Sequence, residues 1–585
     1  MARYIQRNMN PSPLLTRALD GAARIAAVLV MTASVHAVSP GSAAAADNGS
    51  DTSIGNYLAA RQAERQRDHG SAARFLERAL SQEPGNFDLL QRTHAALVAE
   101  GRFAEAVIAA RRIVETSPAN PGANLTLAVE AVRNAHWDEA AQLLAEIPLQ
   151  GINRLVMPLL RAWIAAGRGD IDAVNRLKPL ADVADLKTIV DFHTALVLDL
   201  VGRTDEAEAV FARFVAPGGR APLRVIEAAV TFYASKGRAA EARAVLEAAR
   251  GSFPDSLSLE AVSAAVAGPP PPAFIATAQA GVAAALLDVA TAVRGEGDGS
   301  LSLPFGRYAL ALASNHPSML LLVGDILDQQ RQLEEANGYF ARIPENSAVS
   351  WSARLRMAEN LNQLGKTPEA ITLLETMAEQ RTDRIDALMT LGGLKRVQDK
   401  FAEAAVVYDR AVARLGTPDP RHWGLFYARA ITLERSKQWP RAEADFFKAL
   451  ELQPEQPDVM NYLAYSWVDQ GQTQYFDRAL KMLERAVELR PNSGHIIDSL
   501  AWALYRVGRF ADSVPLLERA VEALSQESVI LDHLGDAYWR VGRIAEARYQ
   551  WRRALETKPE PDAKLELEKK LVDGLPPVTE QKRGG

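Results

Sequence analysis

One spacing recurs along this chain and leaves few folds open to it. Its fullest copy includes "LGDAYWRVGRIAEARYQWRRALETKP" at 534–559. Large residues at Leu531, Leu534, Tyr538 and Trp551 alternate with small ones at Gly535, Ala547 and Ala554. Apolar residues so placed line one face of a helix, and small residues among them let a second helix come close. Gly542 interrupts the pattern and Pro559 ends it, so the stretch reads as two helices folded against each other.

The same frame returns upstream. It carries Gly508, Phe510, Leu517 and Ala520, and before them Leu463, Ala464, Trp467, Gly471, Ala479, Leu483, Ala486 and Pro491. Further copies hold Ala430, Ala442, Phe446, Ala449 and Pro454, then Leu391, Gly392, Ala404, Tyr408 and Ala411, then Ala358, Gly365, Ala370 and Leu374. Gly324, Ala336 and Phe340 mark another. The N-terminal half shows Tyr233, Gly237, Ala242 and Ala249, then Ala195, Gly202, Ala207 and Phe211, and weaker copies at Ala128, Ala140 and Leu144 and at Gly101, Phe103 and Ala106. The first holds Ala60, Ala72, Ala79 and Pro84, and residues 151–187 form a degenerate copy.

These positions resemble the tetratricopeptide repeat, a unit of about 34 residues, over nearly all of the chain after its leader. The spacing by itself establishes helical hairpins. The resemblance implies an all-α fold, a right-handed α-solenoid of about 12–14 hairpins whose first helices line a concave groove. One stretch interrupts the array. "AGPPPPAF" (267–274) cannot be helical at its core, because four prolines in a row remove donors and fix φ. An Ala-rich helix over about 275–294 and the turn "GEGDGS" follow. The expected organisation is an N-terminal array at 47–256, a hinge with an irregular hairpin at 257–316, a C-terminal array at 317–561, a capping helix at 562–575 and a disordered tail at 576–585. A second reading makes the proline stretch a loop within one continuous solenoid.

Residues 1–46 read as an export leader. Arg3, Arg7, Arg17 and Arg24 precede the apolar run "IAAVLVMTASVHAV" (25–38), and small residues offer a cleavage site ending at Ala46 or, nearer, at Ala37. The run is shorter than the ~20 residues of a membrane span. The alternative is an uncleaved inner-membrane anchor. The absence of cysteine suits an oxidising compartment and excludes disulfides, thiolate metal sites and a cysteine nucleophile. The net charge of −6 gives no reason to expect nucleic acid. The expected location is the periplasm or cell envelope.

Nothing in the sequence points to chemistry. The nine histidines include no H-x-x-x-H pair, "GEGDGS" lacks the Lys of a phosphate loop, and no G-x-S-x-G elbow appears. Carboxylates lie mostly at i, i+3 or i+4 to Lys or Arg, as on a solvated helix face. No enzyme activity, metal or cofactor is expected. Some tetratricopeptide-repeat proteins carry a catalytic domain, but here repeats fill the stretch where one would stand.

The resemblance places positions 2, 5, 9, 12 and 13 of each first helix in the groove. In the last four repeats these include Tyr427, Glu434 and Arg435; Asn461, Tyr465 and Asp469; His495, Asp498, Trp502, Tyr505 and Arg506; and Asp532, Asp536, Trp539 and Arg540. Six of the nine tryptophans lie after residue 420, which favours this end. Tyr, Trp and Arg beside carboxylates make binding hot spots. The plainer alternative is that these aromatics pack between neighbouring first helices. Trp467 and Trp551 occupy core positions. The carboxylate clamp known in the family uses Lys and Asn, and of Tyr427, Asn461, Asp498 and Asp532 at position 5 only one fits. The expected function is a non-catalytic scaffold that binds a protein or peptide. Alternatives are an accessory factor for envelope polysaccharide or outer-membrane assembly with glycan contact, and a membrane-anchored scaffold.

Overall fold

The computed structural model describes residues 52–180, 186–216, 221–294 and 299–577. The expected leader, most of the "GEGDGS" turn and residues 578–585 of the tail lie outside the described residues. The described chain is all-α, an α-solenoid of paired helices, in two compact units that divide at 370/371.

The N-terminal unit pairs α1 (Ser53–Gln66) with α2 (His69–Gln82), α3 (Phe87–Glu100) with α4 (Phe103–Thr116), and α5 (Pro121–Arg133) with α6 (Trp137–Ala145). In the degenerate copy, α7 (Asn153–Gly167) pairs with a 3-10 segment (Ala173–Leu180). Next come α8 (Lys187–Leu200) with α9 (Thr204–Phe214), and α10 (Leu223–Ser235) with α11 (Ala239–Arg250). α12 (Leu257–Ala267) stands before the prolines, followed by α13 (Ala278–Val293) with α14 (Ser302–Leu312), α15 (Pro317–Gln329) with α16 (Leu333–Phe340), and α17 (Ser350–Gln363). The division falls within α18 (Thr367–Gln380).

The C-terminal unit pairs α19 (Asp386–Val397) with α20 (Phe401–Arg414), α21 (Trp423–Arg435) with α22 (Trp439–Leu452), and α23 (Pro457–Asp469) with α24 (Phe476–Leu489). It continues with α25 (Gly494–Arg506) and α26 (Phe510–Ala523), then α27 (Ser528–Arg540) and α28 (Ile544–Glu556), and ends in α29 (Pro561–Asp573).

The frame has a physical basis in both units. A Cβ added at Gly324, Gly392 or Gly535 would lie 2.4–2.5 Å from Phe340, Tyr408 or Trp551, so each glycine gives up its side chain to an aromatic ring sixteen residues on. Ala404, Ala442, Ala479 and Ala547, at the small position of their second helices, have no exposed surface. The turn between paired helices needs a left-handed residue. Gly101, Gly202, Gly508 and Gly542 supply it with φ of 82–90°, while Ala135, Arg331, Asp399 and Lys437 adopt it without being glycine.

Charges follow the frame too. Arg102, Arg203, Arg238 and Arg543 each meet a glutamate three residues on and a carboxylate of the preceding hairpin, as in Arg238 with Glu241 (3.0 Å) and Glu208 (2.6 Å). Arg112, Arg342, Arg519 and Arg553 each donate to a carbonyl 28 residues earlier. These side chains fasten one hairpin to the one before it.

The expected division at 257–316 differs from the observed one, because that segment packs inside the N-terminal unit. Residues 257–267 are helical, with Ser256 accepting from the Leu259 amide. Past the prolines the chain returns onto the first helices of the array: α13 packs on α7, α8 and α5, and α14 on α5 and α3. Gly281 lets α13 approach α7, since a Cβ there would meet the Trp163 ring at 2.0 Å.

Polar contacts hold this return in place. The Trp163 indole N–H donates to His193 Nδ1 at 3.0 Å, so His193 carries its proton on Nε2, 3.2 Å from Asp288 of α13. Arg224 of α10 reaches the other Asp288 oxygen at 3.1 Å. Burial works against the Asp288 charge, but Arg224 and His193 outweigh it and hold the carboxyl below its usual pKa. Along α14, Tyr308 bonds Thr126 at 2.8 Å, and Arg307 donates to the Ala99 carbonyl at 2.8 Å and to Glu335 at 2.6 Å. The chain itself covers the first helices α3, α5, α7 and α8 of the N-terminal unit.

Candidate partner-binding groove

In the C-terminal unit the first helices α19, α21, α23, α25 and α27 follow one another, and the expected groove residues fall into three groups. The first group is tied up within the chain. The Asp532 and Asp536 carboxylates both meet Lys570 of α29, at 2.7 and 2.9 Å, and Asp536 also accepts the Trp551 indole N–H at 3.0 Å. Burial and the Asp532 charge push the Asp536 carboxyl up to about 6, against the pull of Lys570. Arg540 donates to the Pro576 carbonyl at 2.6 Å and to the Tyr505 hydroxyl at 3.2 Å. Trp539 lies 5.5 Å from Trp551, and a Cβ at Gly574 would meet its ring at 2.0 Å. So α29 and residues 574–576 cover the last position of the array. This includes the start of the expected disordered tail, because Pro576 takes a fixed partner.

The second group is an aromatic stack. The Trp502 ring lies parallel to Tyr505 at 4.7 Å on one side and to His533 at 3.9 Å on the other. Both of its faces are therefore occupied. His533, which the groove positions do not include, is anchored by its Nδ1 to Asp498 Oδ1 at 2.9 Å. Tyr427 belongs with packing as well, between Trp423 (6.0 Å), Phe446 (6.2 Å) and Tyr462 (6.2 Å).

The third group keeps polar capacity unused. Asn461 Oδ1, Asp498 Oδ2, the Tyr427 hydroxyl and Arg435 Nη1 are buried and find no hydrogen-bond partner among the described residues. Arg435 also lies over the Phe401 ring at 4.5 Å, and Glu434 accepts from the Tyr462 hydroxyl at 3.2 Å. Burial first, then the charges of Asp469 and Asp498, push the Tyr465 hydroxyl well above its usual pKa, and that hydroxyl is hydrogen-bonded to Asp469. Burial lowers the pKa of His495. Asp469 and Arg506 are exposed.

Sequence reasoning missed Lys570, His533 and Gly574. Running the frame on past the last repeat finds two of them: Lys570 stands where Tyr465, Trp502 and Asp536 stand, and Gly574 where Arg506 and Arg540 stand. His533 carries no such signal. Among the described residues no group of His, Asp or Glu is placed to hold a metal ion, and no helix is long and apolar enough to cross a membrane.

Comparison with known proteins agrees with the repeat. Residues 97–154 match the family model described as tetratricopeptide repeat. A TPR repeat-containing protein of Pseudomonas aeruginosa, PA4667, is 25% identical over 192 residues, 33% of this chain and 31% of that protein. Human protein O-mannosyl-transferase TMTC1 is 23% identical over 222 residues, 37% of this chain and 24% of that protein. The matched regions thus span about a third and about a quarter of these relatives. Among solved structures, yeast Tom70 aligns over 88% of this chain and 94% of its own with 14% identity and a TM-score of 0.31. Residues 97–154 thus match a tetratricopeptide repeat, and a hairpin frame of the same kind runs through both units.

Proposed function

We propose that this protein is a non-catalytic scaffold that binds a protein or peptide segment along the first helices of its C-terminal unit, and that it does so in the cell envelope after export. The observation that carries the reading is the contrast in what packs on the first helices. In the N-terminal unit α13 and α14 pack on the first helices α3, α5, α7 and α8. The C-terminal unit instead leaves Asn461 Oδ1 and Asp498 Oδ2 without donors among the described residues, on helices whose C-terminal ends expose Asp469 and Arg506. A buried polar atom without a partner costs about 1–3 kcal/mol, which a ligand donor would recover. An extended peptide suits such a surface, because it carries a donor and an acceptor at nearly every residue.

The glycan reading lacks comparable support. Stacking against a sugar needs an open ring face, and Trp502 has neither face free. The envelope location rests on the leader-like sequence at 1–46 and on the absence of cysteine.

The test is crosslinking followed by affinity capture from the native host, comparing the parent chain with Asn461→Ala/Arg506→Glu. Neither substitution touches the aromatic stack. The partner should drop at least tenfold in the variant, whose helix content by circular dichroism should be unchanged. Equal recovery of the same partner would sink the reading.

A further inference from the structure

Asp498 is fully buried, yet only half of its hydrogen-bonding capacity is used. Oδ1 meets His533 Nδ1 at 2.9 Å, and Oδ2 finds no donor among the described residues. A buried carboxylate with an open oxygen favours a donor, and a charged donor above all, because both the low surrounding polarity and the full charge strengthen the bond. One repeat earlier, at the same position of the frame, Asn461 is 4% exposed and its Oδ1 is equally without a donor. Tyr465, the next inner-face residue along α23, hydrogen-bonds Asp469, whose carboxylate is exposed, and feels the charge of Asp498. Asn461 and Asp498 thus hold open acceptors at the same frame position of the neighbouring helices α23 and α25, with the exposed Asp469 carboxylate further along α23.

The molecule answers the same demand with a cation one repeat on. Asp532 occupies the frame position of Asp498, and there Lys570 of α29 reaches both Asp532 (2.7 Å) and Asp536 (2.9 Å). At Asp498 the following helix offers only the His533 ring, which leaves one oxygen open. Arg506 lowers the Tyr465 pKa, but it forms no ion pair with Asp498 among the described residues.

We infer that the C-terminal unit recognises a cationic side chain, an arginine or lysine, in the bound segment, with Asp498 Oδ2 and Asp469 receiving the charge and Asn461 Oδ1 receiving a neighbouring backbone N–H. This rests on the peptide-binding reading above and narrows its partner to a basic one. It is also the opposite preference from a clamp that holds an acidic terminus.

The experiment uses the full chain and fluorescein-labelled octapeptide pools. Their fourth residue is fixed as arginine, citrulline or glutamate, and the other positions are mixtures of Ala, Ser, Leu, Val and Gln. Citrulline keeps the shape of arginine without its charge. Fluorescence polarisation should show the arginine pool binding about tenfold more tightly than the citrulline pool, with the glutamate pool weakest. Asp498→Asn should erase the arginine preference and leave citrulline binding in place. Should that variant unfold, Asp469→Asn, at an exposed position, should cut the preference about threefold. Equal binding of the arginine and citrulline pools, a tighter glutamate pool, or a preference intact in Asp498→Asn or Asp469→Asn would overturn the inference while leaving peptide binding standing. Failure of all three pools to bind would overturn the peptide reading itself.

Discussion

The two units are built from one repeat but use its inner face in opposite ways. In the N-terminal unit α13 and α14 come back onto α3, α5, α7 and α8, and a buried network of Trp163, His193, Asp288 and Arg224 fastens them there. In the C-terminal unit Lys570, Gly574 and Pro576 pack on the last position, and among the described residues the positions before it keep buried acceptors without donors. A repeat frame fixes how hairpins pack on their neighbours; it does not fix what lies against the inner face. That depends on whether the chain spends one of its own helices there.

If the N-terminal face is filled as described, Asp288→Ala should produce the largest effect. It removes the partner of both His193 and Arg224, and breaking a buried pair in this way costs about 3–5 kcal/mol. Hydrogen exchange should rise in α7, α8, α10 and α13, while α21–α28 keep their protection. A loss spread evenly over both units, or no loss, would break the comparison.

Acid should separate the units next. His94, bonded through Nε2 to Thr126 at 2.7 Å, is held down to about 4 from 6.5 by burial. Its folded pKa is depressed, so the neutral ring is favoured by folding and that stability is lost as pH falls from about 6.5 towards 4. The loss reaches up to about 3 kcal/mol at the low end. Asp536 carries the opposite sign. Its carboxyl is raised from 3.8 to about 6, so the stability tied to protonation is present at low pH and is lost as pH rises through about 6. Thermal melts from pH 7 to 4.5, followed by hydrogen exchange, should show α3, α5 and α14 loosening before α27 and α29. His94→Gln should remove most of the acid sensitivity of the N-terminal unit. An acid response in the reverse order would contradict this.

The smallest effect concerns a single turn. Ala135 holds a φ of 57° where other repeats place glycine. Ala135→Gly should stabilise the N-terminal unit by about 0.5–1 kcal/mol, a rise in its melting temperature that differential scanning calorimetry can resolve. A fall would mean that the turn relaxes around alanine without cost.

Much of the fold is legible in the sequence because the frame is local. Gly392 with Tyr408 and Gly535 with Trp551 are contacts within one hairpin, and their spacing records them. The destination of α13 is not recorded that way. The prolines before it mark a helix end, but a proline run reads the same whether the chain then starts a new unit or turns back. The better signal is in α13 itself, whose "VAAALLDVA" is apolar on nearly all sides, as a helix buried all round must be.

The groove was harder to read for a related reason. Trp502 and Trp539 look like binding aromatics until their neighbours from adjacent helices are known, and those neighbours, His533 and Gly574, come from other elements. Asp532 and Asp498 stand at the same frame position in sequence. One is answered by Lys570 and the other keeps an oxygen open, and only the packing of consecutive helices tells them apart.

The most direct measurement uses the absence of native cysteine. A single cysteine, carrying a benzophenone label, is placed either at exposed Arg506 in the C-terminal unit or at exposed Ala95 on α3 in the N-terminal unit, and each protein is irradiated in its native envelope. The account predicts a discrete partner crosslink from position 506 and none from position 95. The same partner captured from position 95 and absent at position 506 would contradict it.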